Sequence, residues 1–203
     1  MNPSRRRLMA LAGLMVATPP PEALAEPATP MADGRLVLSS FAEGGDVLAP
    51  NAGWRGFSDR VMGGVSNGTF ERTTVAGRPC IRMTGRVTRD SGGGFIQMAL
   101  DLATRSSDFN ASAFAGIELL VHGNDESYNC HVRTADCGWY DQSYRATFRV
   151  APQWQTIRLP WSAFTPNDLD VPLDPSRLQR VAVLGWMREF EADLALAEVA
   201  LYV

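Results

Sequence analysis

The sequence predicts an all-β protein, an antiparallel two-sheet sandwich, and three observations carry the prediction. Apolar and polar residues alternate with period two in ten short segments: 35–41, 69–75, 79–87, 95–102, 116–122, 127–134, 144–150, 154–161, 180–187 and 194–203. Gly-Gly, Asn-Gly, Gly-Asn-Asp and Pro-containing stretches separate them, and these residue types punctuate a chain with turns. No segment sustains an i, i+3, i+4, i+7 apolar face long enough for a helix, apart from a short turn at 174–178 opened by Pro175. Many short strands at regular spacing over about 170 residues pack as one pair of sheets. No internal repeat is present.

The first 25 residues stand outside this pattern. Ser4-Arg5-Arg6-Arg7-Leu8-Met9 leads into an uncharged run at 8–17, then a Pro-rich break, and Ala23-Leu24-Ala25 supplies a small-x-small cleavage site. The run is too short to span a bilayer, which needs about 20 apolar residues. The segment therefore reads as an export signal at 1–25, and its S-R-R-x-L-M arrangement resembles the twin-arginine motif, with a general secretory signal as the alternative. The expected destination is the bacterial periplasm or cell envelope, with no transmembrane segment in the mature chain. Residues 26–34 follow as a linker, and the folded domain is expected at 35–203.

Composition narrows the chemistry. The chain has 203 residues, 45% hydrophobic and 20% charged, enough for one core. Its 19 basic residues, all Arg, face 22 acidic ones for a formal charge of −3. Cleavage after Ala25 removes three Arg and one Glu and takes this to −5. A nucleic-acid partner is disfavoured, because such partners require a basic footprint. The absence of Lys excludes a Schiff-base lysine and a phosphate-loop lysine. His122, His131, Cys80, Cys130 and Cys137 include no pair with zinc-finger or HExxH spacing. An oxidising compartment allows a Cys130–Cys137 bridge, or Cys80–Cys130 if their strands adjoin; otherwise Cys80 reads as a buried, inert thiol.

Alternation also sorts faces. In 144–150 the even-numbered residues form the core set, while Arg145, Thr147 and Arg149 point the other way. In 128–133, Asn129, His131 and Arg133 are the polar set. If these two segments pair across the loop holding Cys137, Trp139 and Tyr140, one sheet presents His131, Arg133, Arg145 and Arg149 together. That patch is either a ligand-binding face or a solvated face of weak Arg–acid pairs. Trp139 and Tyr140, in a turn-like region, are the aromatics placed for contact; Trp154 and Trp161 read as packing residues.

The stretch 54–68 is too rich in Gly for a strand and too hydrophobic for a free loop, so it reads as a packed loop. Trp54, Phe57 and Met62 anchor it, Gly63 and Gly64 allow unusual backbone angles, and Asn67-Gly68 suits a tight turn into the next strand. Within it, Ser58-Asp59-Arg60-Val61-Met62-Gly63-Gly64-Val65-Ser66 resembles the signature of the complex I intermediate-associated protein 30 family. That family is named for a mitochondrial assembly factor of NADH:ubiquinone oxidoreductase. Gly93-Gly94-Phe95-Ile96, the segment 154–164 beginning Trp154-Gln155-Thr156, and the closing strand 194–203 fit in the same order. The resemblance implies a galactose-binding-like jelly roll with no established catalytic residues. The export signal places this chain on the opposite side of the membrane from the matrix-facing factor. What the resemblance then implies is a non-catalytic binding or assembly module for an unknown protein partner or envelope complex. A carbohydrate-binding module, or a glycan-directed enzyme on the same jelly roll, is the alternative.

Sharper chemistries find less support. Gly64-Val65-Ser66-Asn67-Gly68 matches the G-x-S-x-G pattern, with Asp108, Asp125 and His131 downstream, but a strand-like stretch follows Ser66 where a nucleophile elbow requires a helix. Glycoside hydrolysis needs a specific carboxylate pair, and the scattered acids nominate none. No cofactor is expected; Asp46, Asp59 and Asp90 are candidate donors for a structural calcium ion as a minority option, with no EF-hand pattern present. Asn67-Gly68-Thr69 and Asn110-Ala111-Ser112 match the glycosylation sequon and read as turns. The binding residues expected are thus Ser58, Asp59, Arg60, Met62, Gly63, Gly64 and Ser66 from the loop, and His131, Arg133, Trp139, Tyr140, Arg145 and Arg149 from the sheet. No catalytic or metal-ligating residue is expected.

Overall fold

A computed structural model describes residues 25–42, 53–103 and 107–203. The export signal as far as Leu24, and Asp46 among the calcium donors, lie outside them. The strands are β1 (Arg35–Ser40), β2 (Arg55–Ser58), β3 (Asn67–Val75), β4 (Arg78–Val87), β5 (Phe95–Asp101), β6 (Gly116–His122), β7 (Glu126–Thr134), β8 (Ser143–Val150), β9 (Gln155–Pro160), β10 (Thr165–Asn167), β11 (Leu178–Trp186) and β12 (Phe190–Tyr202). One sheet runs β3-β4-β12-β6-β9, with β1 beside the end of β12 that β4 leaves free; the other runs β10-β8-β7-β11-β5-β2. Every pairing is antiparallel. The protein is the all-β, two-sheet jelly roll expected.

Period two builds the core. Met98, Ile117, Leu119, Val121, Cys130 and Val132 point between the sheets and are fully buried. Each large aliphatic side chain so buried contributes roughly 1.5–3 kcal/mol before its ordering entropy is counted. β12 changes phase midway: Leu194 and Leu196 point inward, then Val199 and Leu201 do, because the pairing with β6 skips a residue between Leu196 and Glu198. Such a bulge flips which side faces the core. Tyr128 is the polar exception, with its hydroxyl donating to Asn124 Oδ1 at 2.7 Å and accepting from Asp193 N at 2.9 Å.

Several expectations need correction. β2 and β10 lie where no strand was expected; both are short edge strands, too brief for alternation to register. Asn67-Gly68 is not a turn but the start of β3, opposite Arg86 and Gly85. Gly85 permits this close approach, since a Cβ there would sit 1.9 Å from the Asn67 carbonyl oxygen. The hairpin turns instead at Ala76-Gly77, both at positive φ (44° and 77°). The Asn110 sequon does form a turn, with Asn110 Oδ1 accepting from Ser112 N at 3.1 Å. The short turn at Pro175–Arg177 is capped by Asp174, which accepts from Ser176 N at 2.9 Å. The linker is partly docked, because Ala28 N donates to Asn110 O. A Cys80–Cys130 bridge is ruled out by topology. Cys80 packs with Ala195 and Ala197 on the outer face of the first sheet, whereas Cys130 and Cys137 lie between the sheets. All three are free thiols here.

A groove on the outer face of the second sheet

The loop motif closes on itself through Asp59. Ser58 caps a 3-10 turn at Asp59–Met62, its Oγ accepting from Arg60 N, and Gly63 ends the turn at φ 90°. Asp59 is 1% exposed. Its Oδ1 accepts from Ser66 N (2.9 Å), and its Oδ2 accepts from Ser66 Oγ (2.5 Å), Gly94 N (2.6 Å) and Phe95 N (3.2 Å). Ser66 Oγ in turn accepts from Thr88 N at 3.1 Å. One carboxylate thus ties the turn to the starts of β3 and β5 and, through Ser66, to the end of β4. Two glycines make room for it: a Cβ on Gly64 or Gly93 would come within 2.4 or 2.3 Å of the carboxyl group. Four N–H and O–H donors converge on Asp59 and occupy its oxygens, an arrangement that disfavours a cation there. Ser66 is fully buried and followed by β3, which also disposes of the nucleophile elbow. Among the described residues no three potential metal ligands cluster.

The lock turns the rest of the motif outward. Val61 and Met62 are 69% and 56% exposed, and Arg60 donates from Nε to Ser66 O at 3.1 Å while lying at the surface. Val61 and Met62 wall one side of a groove of about 1130 Å³ across the outer face of the second sheet, whereas Arg60 lies outside its lining. Its floor is aromatic. Phe57 meets Phe95 edge-on at 6.1 Å, and Phe95 lies 5.9 Å from Trp186, which meets His131 edge-on at 5.0 Å. Arg145 stacks on Trp186 at 4.3 Å, an arrangement that favours the cation over the ring face. Gln97 also lines the groove, at the register position between Phe57 on β2 and Leu184 on β11.

The opposite wall is the loop 137–142, and Arg133 organises it. Its Nη1 donates to Trp139 O, Tyr140 O and Gln142 O, and its Nη2 to Cys137 O. Trp139 and Tyr140 project from this loop, 71% and 74% exposed. Arg145 holds the neighbouring edge through Ser143 Oγ, Asn167 Oδ1 and Asp141 O. Burial lowers the pKa of both guanidiniums, with Asp141 pulling the other way, and neither forms an ion pair among the described residues. Backbone strain gathers here as well. Met187 (φ 49°), Ser91 beside Gly92 (φ 58°) and Asp168, whose carbonyl accepts from Gln142 (φ 55°), are three of the five non-glycine residues at positive φ among those described. Such conformations cost energy and concentrate where geometry serves a site.

β7 and β8 do pair as the alternation implied, with His131 opposite Arg145. Two members of the expected patch behave differently, however. His131 is not a solvated residue but 7% exposed beneath Trp186, with Nε2 buried and unpartnered. Burial, and then Arg145, hold its imidazole far below the usual 6.5, at about 3. Arg149 points to the same side but lies outside the groove, in an exposed ion pair with Asp125. Trp186, Phe57, Phe95 and Arg180 line the groove but are not among the binding residues the sequence nominates. The signal existed in the alternation of β11 and β5, but nothing in one strand marks which outward residues face a common depression.

Over residues 46–189 the chain matches the family model of complex I intermediate-associated protein 30. It belongs to that family. No curated protein sequence matches the chain. The complex I intermediate-associated fold is also found in carbohydrate-binding modules. A family 11 module from a cellulosomal cellulase of Clostridium thermocellum aligns over 85% of this chain and 96% of its own, at TM-score 0.64 and 16% identity. A family 11 module from the same organism, solved with a β-1,3-1,4-mixed-linked tetrasaccharide, aligns over 85% and 97% at 0.63 and 16%. A family 30 module from a Clostridium thermocellum cellulase aligns over 74% and 91% at 0.51 and 13%. At these identities the likeness is one of fold. Family and fold together support a binding module.

Proposed function

We propose that this protein is an exported, non-catalytic binding module that docks a protein partner in the cell envelope and assists assembly or stability of a complex. The carrying observation is the groove: an aromatic floor between two walls that expose Val61 and Met62 on one side and Tyr140 on the other. Exposed aromatic and Met side chains around Arg are the composition of protein interfaces and their energetic centres. Three of the ionisable groups lining it are already engaged or covered: Asp59 is enclosed, Asp101 is shared by Arg55 and Arg180, and His131 Nε2 is buried, which favours binding over acid–base chemistry. The family name, given for association with an assembly intermediate, supports the reading, and the Arg5-Arg6 signal supports an envelope location. Site-specific photo-crosslinking in cells tests it. A crosslinker at Met62 or at Tyr140 should give the same discrete protein adduct, absent when it is placed at Thr156 on the other sheet. No adduct above the Thr156 background, together with an intact envelope in a deletion strain, would defeat the reading.

A second reading rests on Gln97. Among the described residues its side-chain amide has no hydrogen bond, and it shares the groove lining with Phe57 and Phe95. Amides beside aromatic faces suit a polyhydroxylated ligand, and a similarly folded module was solved with a tetrasaccharide. A glycan array showing binding that disappears in Trp186→Ala would establish this reading, and a blank array would remove it.

A further inference from the structure

The charges at one end of the groove are unbalanced. Arg180 on β11 stands directly opposite Arg133 on β7. Like charges in that position oppose strand pairing, and they do so in a chain of net charge −3. The acids nearby offset them only in part. Asp101 accepts from Arg180 Nε at 2.6 Å but is shared with Arg55, Asp59 is filled by N–H and O–H donors, and Asp141 makes no ion pair with Arg133 or Arg145. Asp168 acts on Arg145 only through space. Among the described residues Arg180 is bonded through Nε alone, with no partner at either terminal nitrogen, and Arg133 has none at Nε. Two planar guanidiniums with unused N–H groups side by side form a receptor for a carboxylate, which each can grip with parallel hydrogen bonds. One step along β7 on the same face is His131, covered by Trp186.

We infer that the end of the groove between Arg133 and Arg180 receives an acidic side chain of the protein partner, while a neighbouring apolar residue of the same segment packs on Trp186 and Phe95. This inference rests on the protein-docking reading of the groove and adds the chemistry of the docked segment. A peptide is favoured over an acidic glycan because the walls are aliphatic as well as aromatic: Val61, Met62 and Met187 contribute nothing to hydroxyl recognition but cover an apolar side chain.

The test is an array of short peptides capped at both ends. Each carries one Asp or Glu beside a Leu, Phe or Trp, and each is matched by its Asn or Gln counterpart. The full-length purified protein should bind members of the acidic set about tenfold more tightly than their amide partners, the scale of a charge-assisted hydrogen bond in a desolvated site. Added salt should narrow that gap. Arg180→Gln should abolish the preference and Arg180→Lys should restore part of it, whereas Arg82→Gln, on the other sheet, should leave it intact. Equal binding of acidic and amide peptides, or a blank array, overturns the inference. So does preferential binding of trigalacturonate with the same Arg180→Gln sensitivity. If the Met62 and Tyr140 crosslinks form while the acidic preference is missing, only the acidic-segment inference falls and the docking groove stands.

Discussion

Asp59 and Ser66, seven residues apart, are joined twice: the Asp59 carboxylate accepts both the amide and the hydroxyl of Ser66, at 2.9 and 2.5 Å. This double link explains why the loop motif looks neither like a strand nor like a free loop. Asp59→Asn keeps the shape but turns an N–H toward donors. The expected loss is about 3 kcal/mol, because buried hydrogen bonds to a charged group are left unmade. Denaturant titration measures it, and a loss below about 0.5 kcal/mol, the scale of an ordinary surface substitution, would show that the lock carries no stability.

The glycines around this lock differ in their reason for being glycine. Gly93→Ala places a methyl 2.3 Å from Asp59 Oδ2 and should cost roughly 2 kcal/mol or more, as overpacking does. Gly63 has φ 90° but open space around its Cβ position, so Gly63→Ala should cost only about 1 kcal/mol of backbone strain. Melting curves of the two variants should rank in that order; the reverse order would refute the steric account.

His131 should make stability depend on pH. Its imidazole titrates at about 3 in the fold against 6.5 ordinarily, so as pH falls the unfolded chain takes up the proton first. The contribution is complete above about pH 6.5 and is lost between there and about 3, at up to about 1.4 kcal/mol per pH unit. His131→Gln should flatten this slope between about pH 6 and 5, above most carboxylate titrations. Parallel decline of both proteins would mean that the imidazole is not enclosed.

Arg133 should govern one wall of the groove more than the fold as a whole. Arg133→Ala removes the donor to four carbonyls of the loop 137–142. Hydrogen exchange should accelerate across that loop and leave the β7 and β11 amides protected, since local opening follows local contacts. Unchanged exchange at 139–142 would count against the positioning role.

Export should depend on the arginine pair. Arg5→Lys with Arg6→Lys should retain the precursor in the cytoplasm if the twin-arginine route is used, while preserving the charge that the general route requires. Fractionation with immunodetection reads the result, and unimpeded export of the double variant would assign the chain to the general route.

Much was open to reading in one dimension. All ten expected strands exist, and the inward set of β8, Tyr144, Ala146, Phe148 and Val150, is buried as its alternation required. The resemblance carried by Ser58 to Ser66 led to the family, but the role of the motif was hidden. Nothing local reveals that the Asp59 carboxylate reaches Gly94 and Phe95, 35 and 36 residues ahead. His131 was grouped with solvated arginines because alternation distinguishes inside from outside and has no third category for an outer residue roofed by Trp186.

The sequence by itself determined the class of fold, ten of the twelve strands and the inward side of strands such as β8, because those follow from period two and turn chemistry acting over a few residues. Tertiary structure alone decided where the groove lies. The groove requires Phe57, Phe95, Trp186 and His131 to come together from four strands whose order in the sheet differs from their order in the chain. Pairing at long range, and the packing that selects it, created that surface.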